Sequence, residues 1–114
     1  MVTLTAVPYN VAKAGLIGFA KTLAIELGDH NVRSNAIAPG AVGGQRIENV
    51  LADRAKAAGR SVEEERASML SIQTIKQFVD PKDIASLCVF LASHAGRSIS
   101  GQVIPIDNGA LKAS

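Results

Sequence analysis

Tryptophan is absent from this 114-residue chain, and Tyr9, Phe19, Phe78 and Phe90 are its aromatic residues. Aliphatic side chains must therefore fill the core. Cys88 is the single cysteine, which excludes an internal disulfide. It falls in the apolar run from Ile84 to Ala92, where a small buried hydrophobe is expected. His30 and His94 stand far from it and from each other, so no metal-ligand spacing exists and no metal is expected. An excess of charge is missing too. Lys and Arg number 12 against 10 Asp and Glu, a net charge of +2. From Arg46 to Arg66 the bases are matched by acids, with no basic stripe and no interleaved aromatics. That pattern points away from nucleic acid as a partner. No apolar stretch is long enough to span a bilayer, and no membrane partner is expected. Met1 to Pro8 lacks the basic start and long apolar centre of a signal peptide. The expectation is a cytoplasmic protein.

What is present is globular in character, 47% hydrophobic and 19% charged, at a length that suits one small domain. Residues 9 to 27 read as one helix, with Pro8 suited to the first turn and Gly28 to the position just past the end. Residues 32 to 38 read as a short strand that stops at Pro39-Gly40. Residues 45 to 58 look helical and end at Gly59. Ser61 with Glu64 forms a capping box that starts a second short helix. Asp80-Pro81 with Asp83 starts a third, to about Ser93. Residues 102 to 106 read as a last strand, closed by the turn Asp107-Asn108-Gly109, and Pro105 within it argues for a sheet edge.

Short apolar strands separated by helices argue for a parallel sheet covered on both faces. Two strands cannot make such a sheet alone. The chain therefore reads as α/β, one end of a larger doubly wound domain.

The first helix carries an anomaly. At helical spacing Leu16, Phe19, Ala20, Leu23 and Leu27 form an apolar stripe, and Tyr9 and Lys13 lie at its N-terminal end. A lysine on an inward face needs partners for its ammonium. Spacing alone leaves two readings open: a snorkelling Lys13 beside a core tyrosine, or a paired functional site. The opposite face, Val11, Ala14, Gly18 and Ile25, is also apolar and small. A helix apolar on two sides is buried on two sides, either against a second subunit or under another part of the same domain.

Five stretches together resemble the short-chain dehydrogenase/reductase family. They are Tyr9-Asn-Val-Ala-Lys13-Ala-Gly, Leu23-Ala-Ile-Glu-Leu27, Val32-Arg-Ser-Asn35-Ala-Ile-Ala-Pro39-Gly40, Asp80-Pro-Lys-Asp-Ile-Ala and Ser100-Gly-Gln-Val-Ile-Pro-Ile-Asp107, in family order over essentially the whole chain. The resemblance implies the C-terminal portion of a Rossmann-type parallel sheet, with residues 1–114 one part of a single domain. Its N-terminal half, with the glycine-rich phosphate loop, the catalytic serine and the relay asparagine, is absent from the sequence. The implied activity is hydride transfer between NAD or NADP and a carbonyl or alcohol. The alternative is a non-catalytic interaction or dimerisation fragment derived from such an enzyme.

By the same resemblance Tyr9 and Lys13 are catalytic. Tyr9 acts as general acid in reduction and general base in oxidation, and Lys13 lowers the phenol's pKa and hydrogen-bonds the nicotinamide ribose. Both then touch the cofactor, as do Pro39, Gly40 and Val42, the last through its backbone to the carboxamide. Residues 45–76 form the segment that covers the substrate; Leu51, Met69, Leu70, Ile72 and Ile75 in it fit a pocket lining or the inner faces of two lid helices. A homodimer or homotetramer through the helix 9–27 is implied. The sequence departs from the family pattern at Gly44, where a threonine is usual, and at Asn108, where glycine is frequent and where the change is expected to matter to the turn alone.

Overall fold

The computed structural model describes residues 7–110, and for 7–10 the helical backbone alone. The expectation of no leader, read on Met1 to Pro8, concerns residues that fall mostly outside this range. Six elements follow one another: α1 (Val7–Leu27), β1 (Ala36–Pro39), α2 (Gln45–Ala58), α3 (Val62–Leu70), α4 (Pro81–Ala92) and β2 (Val103–Ile106). The architecture is α/β. The chain divides into two compact units, one of residues 1–37 and 90–104, the other of residues 38–89 and 105–114.

In the first unit α1 ends at Leu27, with Gly28 just past it as the sequence predicts. A single 3₁₀ turn, Gly28–His30, follows it, and Asn31 takes the left-handed conformation at φ 59°. Asparagine tolerates that region because its short amide bonds locally. The first strand is shorter than 32 to 38. Ser34 N–H donates to the Ser100 hydroxyl at 3.1 Å, and the Asn35 amide bridges Ile99 O and Gln102 N–H. Side chains thus take over part of the pairing before the ladder begins. Arg33 closes the far end of α4: its guanidinium donates to Leu91 O, to Gly96 O at 2.9 Å, and more distantly to Ala92 O and Ser93 O. Ser93 O and Gly96 O also accept from the Gly96 and Ile99 N–H groups, and a planar fork suits carbonyls gathered at a helix end. Gly96 is buried there because a Cβ would lie 2.7 Å from the carbonyl oxygens of Phe90 and Leu91.

The strand pair is parallel. Ala36 N–H donates to Gln102 O at 2.8 Å, and four residues on in both strands Gly40 N–H donates to Ile106 O at 3.0 Å. Bonds at these alternate positions leave Pro105, which has no N–H, facing the side away from β1.

In the second unit α2 and α3 pack on one another and bury Leu51, Ala55 and Leu70. Gly59 ends α2 in the left-handed region at φ 67°, as the sequence predicts. The capping box is present in both directions: Glu64 N–H donates to Ser61 Oγ, and Ser61 N–H donates to the Glu64 carboxylate. The Ser61 backbone bond, then its hydroxyl and Arg60, hold the Glu64 carboxyl below its ordinary value of 4.5. Of the apolar residues singled out in 45–76, Leu51 and Leu70 serve as inner faces, whereas Ile72 and Ile75 are exposed. At the start of α4 the Asp80 carboxylate accepts from Lys82 N–H. Cys88, expected inside, is exposed. The contacting face of α4 instead carries Ile84, Leu87 and Leu91, and Cys88 follows Leu87 around the helix onto the open side.

Candidate functional site

Tyr9 lies in the first turn of α1 and Lys13 one turn later. Residues four apart share a helix face, so the register puts both on one side. The Tyr9 side chain is outside the described part of the structure. Lys13 is half-buried while Val11, Ala12, Ala14, Gly15 and Leu16 around it are exposed. It begins a half-buried stripe that continues through Ile17, Ala20, Ala24 and Leu27, at steps of three and four. The inward stripe drawn from the sequence is therefore turned by about half a residue. Leu16 and Phe19, which it included, are 65% and 60% exposed, and Leu23 lies at the edge of the observed one. The opposite face is open, with Val11 66% and Ile25 82% exposed and nothing within 4 Å of where a Gly18 Cβ would stand.

Pro39, Gly40 and Val42 belong to the second unit. They leave β1 at the C-terminal ends of the parallel strands, where ligands of open α/β sheets bind. Gly40 is held close to Asp107: a Cβ on it would lie 2.8 Å from Asp107 Cβ and 2.9 Å from its Cα. No side chain fits there, and the backbone stays bare. Val42 pairs in parallel with Val79. Val79 N–H donates to Ala41 O and Gly43 N–H donates to Val79 O, both at 2.8 Å. In a parallel bridge of this kind the central residue's own N–H and C=O point to the opposite side. Val42 thus offers one donor and one acceptor side by side, the pattern a primary carboxamide requires.

The structure gathers Tyr9 with Lys13 on one helix of the first unit, and Pro39, Gly40 and Val42 on one segment of the second. Two residues of the second unit were not singled out as site residues from the sequence. Gln73 is 3% exposed, and its amide donates to Ile75 O and Gln77 O. No pattern in the sequence marks it. Asn108 reaches beyond its turn to Gln77 O, and its departure from glycine was the signal available. Among the described residues no group of three His, Cys, Asp or Glu side chains is placed to hold a metal ion. No helix among them is long and apolar enough to cross a membrane.

The family model described as enoyl-(acyl carrier protein) reductase matches residues 1–110. A D-beta-hydroxybutyrate dehydrogenase of Cupriavidus necator is 37% identical over 102 residues, covering 89% of this chain and 40% of that protein. Among solved structures, a short chain dehydrogenase family protein from Francisella tularensis superposes with a TM-score of 0.82 at 28% identity, over 88% of this chain and 41% of that one. L-sorbose reductase from Gluconobacter frateurii, complexed with NADPH and L-sorbose, gives a TM-score of 0.82 at 30% identity, over 99% of this chain and 46% of that one. The chain spans about 40% of the length of the curated relatives it matches.

Proposed function

The chain belongs to the short-chain dehydrogenase/reductase family, and from that premise we propose that it is the C-terminal part of a single catalytic domain, 1–114, that moves a hydride between NAD or NADP and a carbonyl or alcohol. Its fold is the α/β, Rossmann-type fold of the family. The observation that carries the reading is the register of Tyr9 and Lys13, with Lys13 opening the half-buried stripe of α1.

The nicotinamide cofactor supplies the hydride acceptor or donor. Tyr9 holds and moves the proton at its phenolic oxygen. A phenol ordinarily titrates near ~10. The Lys13 ammonium one turn away and the helix N-terminus both favour the phenolate. Lys13 also bonds the cofactor's ribose. Val42 binds the carboxamide through its N–H and C=O, and the bare Pro39-Gly40 backbone lets the ring come close. The pyrophosphate cradle is no part of this sequence, which has no glycine-rich turn after a strand. Residues 45–76 cover the substrate.

The open face of Val11, Ala14, Gly18 and Ile25 supports a homodimer or homotetramer built through α1. The exposed Cys88 thiol, with no second cysteine to pair with, fits the reducing cytoplasm.

The test uses a protein in which this chain is joined to the glycine-rich half of the family domain. Tyr9→Phe should lower kcat by about 10²–10⁴-fold, the share that general acid–base catalysis supplies. The Kd for the nucleotide should stay within about twofold, a difference of ~0.4 kcal/mol. Lys13→Ala should impair both. Near-normal turnover in Tyr9→Phe would refute the assignment.

A further inference from the structure

The turn after β2 and the strap that follows α3 are joined by a dense set of bonds within the second unit. Thr74 N–H donates to Gly109 O at 2.9 Å, and Ile75 N–H donates to Asn108 O at 3.0 Å. The Thr74 hydroxyl also donates to Asn108 O, at 3.1 Å. The turn itself is fixed by the Asp107 carboxylate, which accepts from the N–H groups of Gly109 and Ala110. Asn108 stands in it at φ 54°, a conformation that glycine adopts without cost and asparagine tolerates.

What glycine would not supply is the side chain. Asn108 Nδ2 donates to Gln77 O at 2.7 Å. The same carbonyl accepts from the buried amide of Gln73 at 2.9 Å. Gln77 is thereby gripped from two sides, from the turn and from within the strap. Two residues on, the buried Val79 makes the paired bonds that hold Ala41 and Gly43. Those two bonds turn the Val42 N–H and C=O to the side away from Val79.

We propose that Asn108 is a positioning residue for the cofactor-contacting segment: its amide holds Gln77, and the strap from Gln77 to Val79 holds Val42 in register. This rests on the reading of Val42 as a carboxamide contact. It adds a residue that acts through Gln77 and that stands where the family frequently has glycine.

Two variants test it in the protein in which this chain is joined to the glycine-rich half of the family domain. Asn108→Gly keeps the left-handed turn and removes the amide. Asn108→Asp keeps the size and the conformational tolerance and removes the N–H donors. Residue-resolved amide hydrogen exchange should show Val79 and Gly43 opening about fivefold faster in both, the factor that one net hydrogen bond is worth. The Glu64 amide, capped by Ser61 at the far end of α3, should not change. Unchanged exchange at Gly43 and Val79 overturns the proposal, and so does an equal acceleration of all three amides. The readout needs no cofactor. A failure of the Val42 reading would show separately, as the coupled exchange together with an NADH affinity that Asn108→Gly leaves untouched in the joined protein.

Discussion

Arg33 ties the start of the first strand region to the end of α4, and its removal is the most informative single change in the first unit. Its guanidinium makes two close contacts, to Leu91 O and to Gly96 O. Two longer ones, at 3.5 Å, sit at the limit of hydrogen bonding and add little. Bonds from an ionised donor contribute about 1.5–3 kcal/mol each. Arg33 is half-buried, so water replaces part of the loss and the lower figure applies. Arg33→Ala should then cost about 3 kcal/mol, a large share of the ~5–15 kcal/mol by which domains are stable. Arg33→Lys keeps the charge at the helix C-terminus but loses the planar fork, and should cost about half as much. With a urea m value of about 1.5 kcal/mol/M, Arg33→Ala moves the unfolding midpoint down by about 2 M with m unchanged. A loss below about 0.5 kcal/mol, the range of ordinary surface substitutions, would refute the assignment of Arg33 as the clamp of α4. An Arg33→Lys variant as damaging as Arg33→Ala would show that the fork, not the charge, carries all of it.

In the second unit Leu51 is 0% exposed, so Leu51→Ala should cost about 2–5 kcal/mol in urea unfolding. Ile72→Ala, at a residue 44% exposed, should cost under about 1 kcal/mol; equal losses would contradict the packing of α2 on α3. The capping box makes α3 sensitive to acid. Glu64 has a lower pKa folded than unfolded, so its contribution is fully present above its ordinary value of 4.5 and is lost as pH falls through the lowered folded value. A carboxyl-carbon titration by NMR should place the Glu64 midpoint below its ordinary value of 4.5, and Ser61→Ala should raise it while weakening the helix start by about 1 kcal/mol. An unshifted Glu64 midpoint would rule out the reciprocal cap.

Local signals were legible where one residue decides the backbone. Gly59 closes α2 and Ser61 with Glu64 opens α3, because left-handed φ and orphan N–H groups are read off single positions. Asp80-Pro81 worked for the same reason. The sequence misled where packing decides. The run from Val32 looks like strand, yet Ser34 and Asn35 spend their polar groups on residues 99 to 102, far along the chain. Leu16 and Phe19 look like core because they are apolar and correctly spaced; they are exposed because the contact surface of α1 is centred on Ile17 and Ala24. Cys88 failed in the same way. Of the candidate site, the pairing of Tyr9 with Lys13 is a matter of helical register and needs no tertiary knowledge. The orientation of Val42 is not, since it depends on Val79, which periodicity cannot bring to it.

Cys88 lies on the open side of α4 as the chain's one thiol. A maleimide dye or a nitroxide spin label would therefore attach at a single known position, with no other cysteine to remove first. The lack of tryptophan makes the same molecule optically quiet, with Tyr9 as its strongest intrinsic fluorophore. The signal of a dye on Cys88 could then be read against almost no intrinsic background, turning an incidental surface sulfur into a reporter for the local opening of α4.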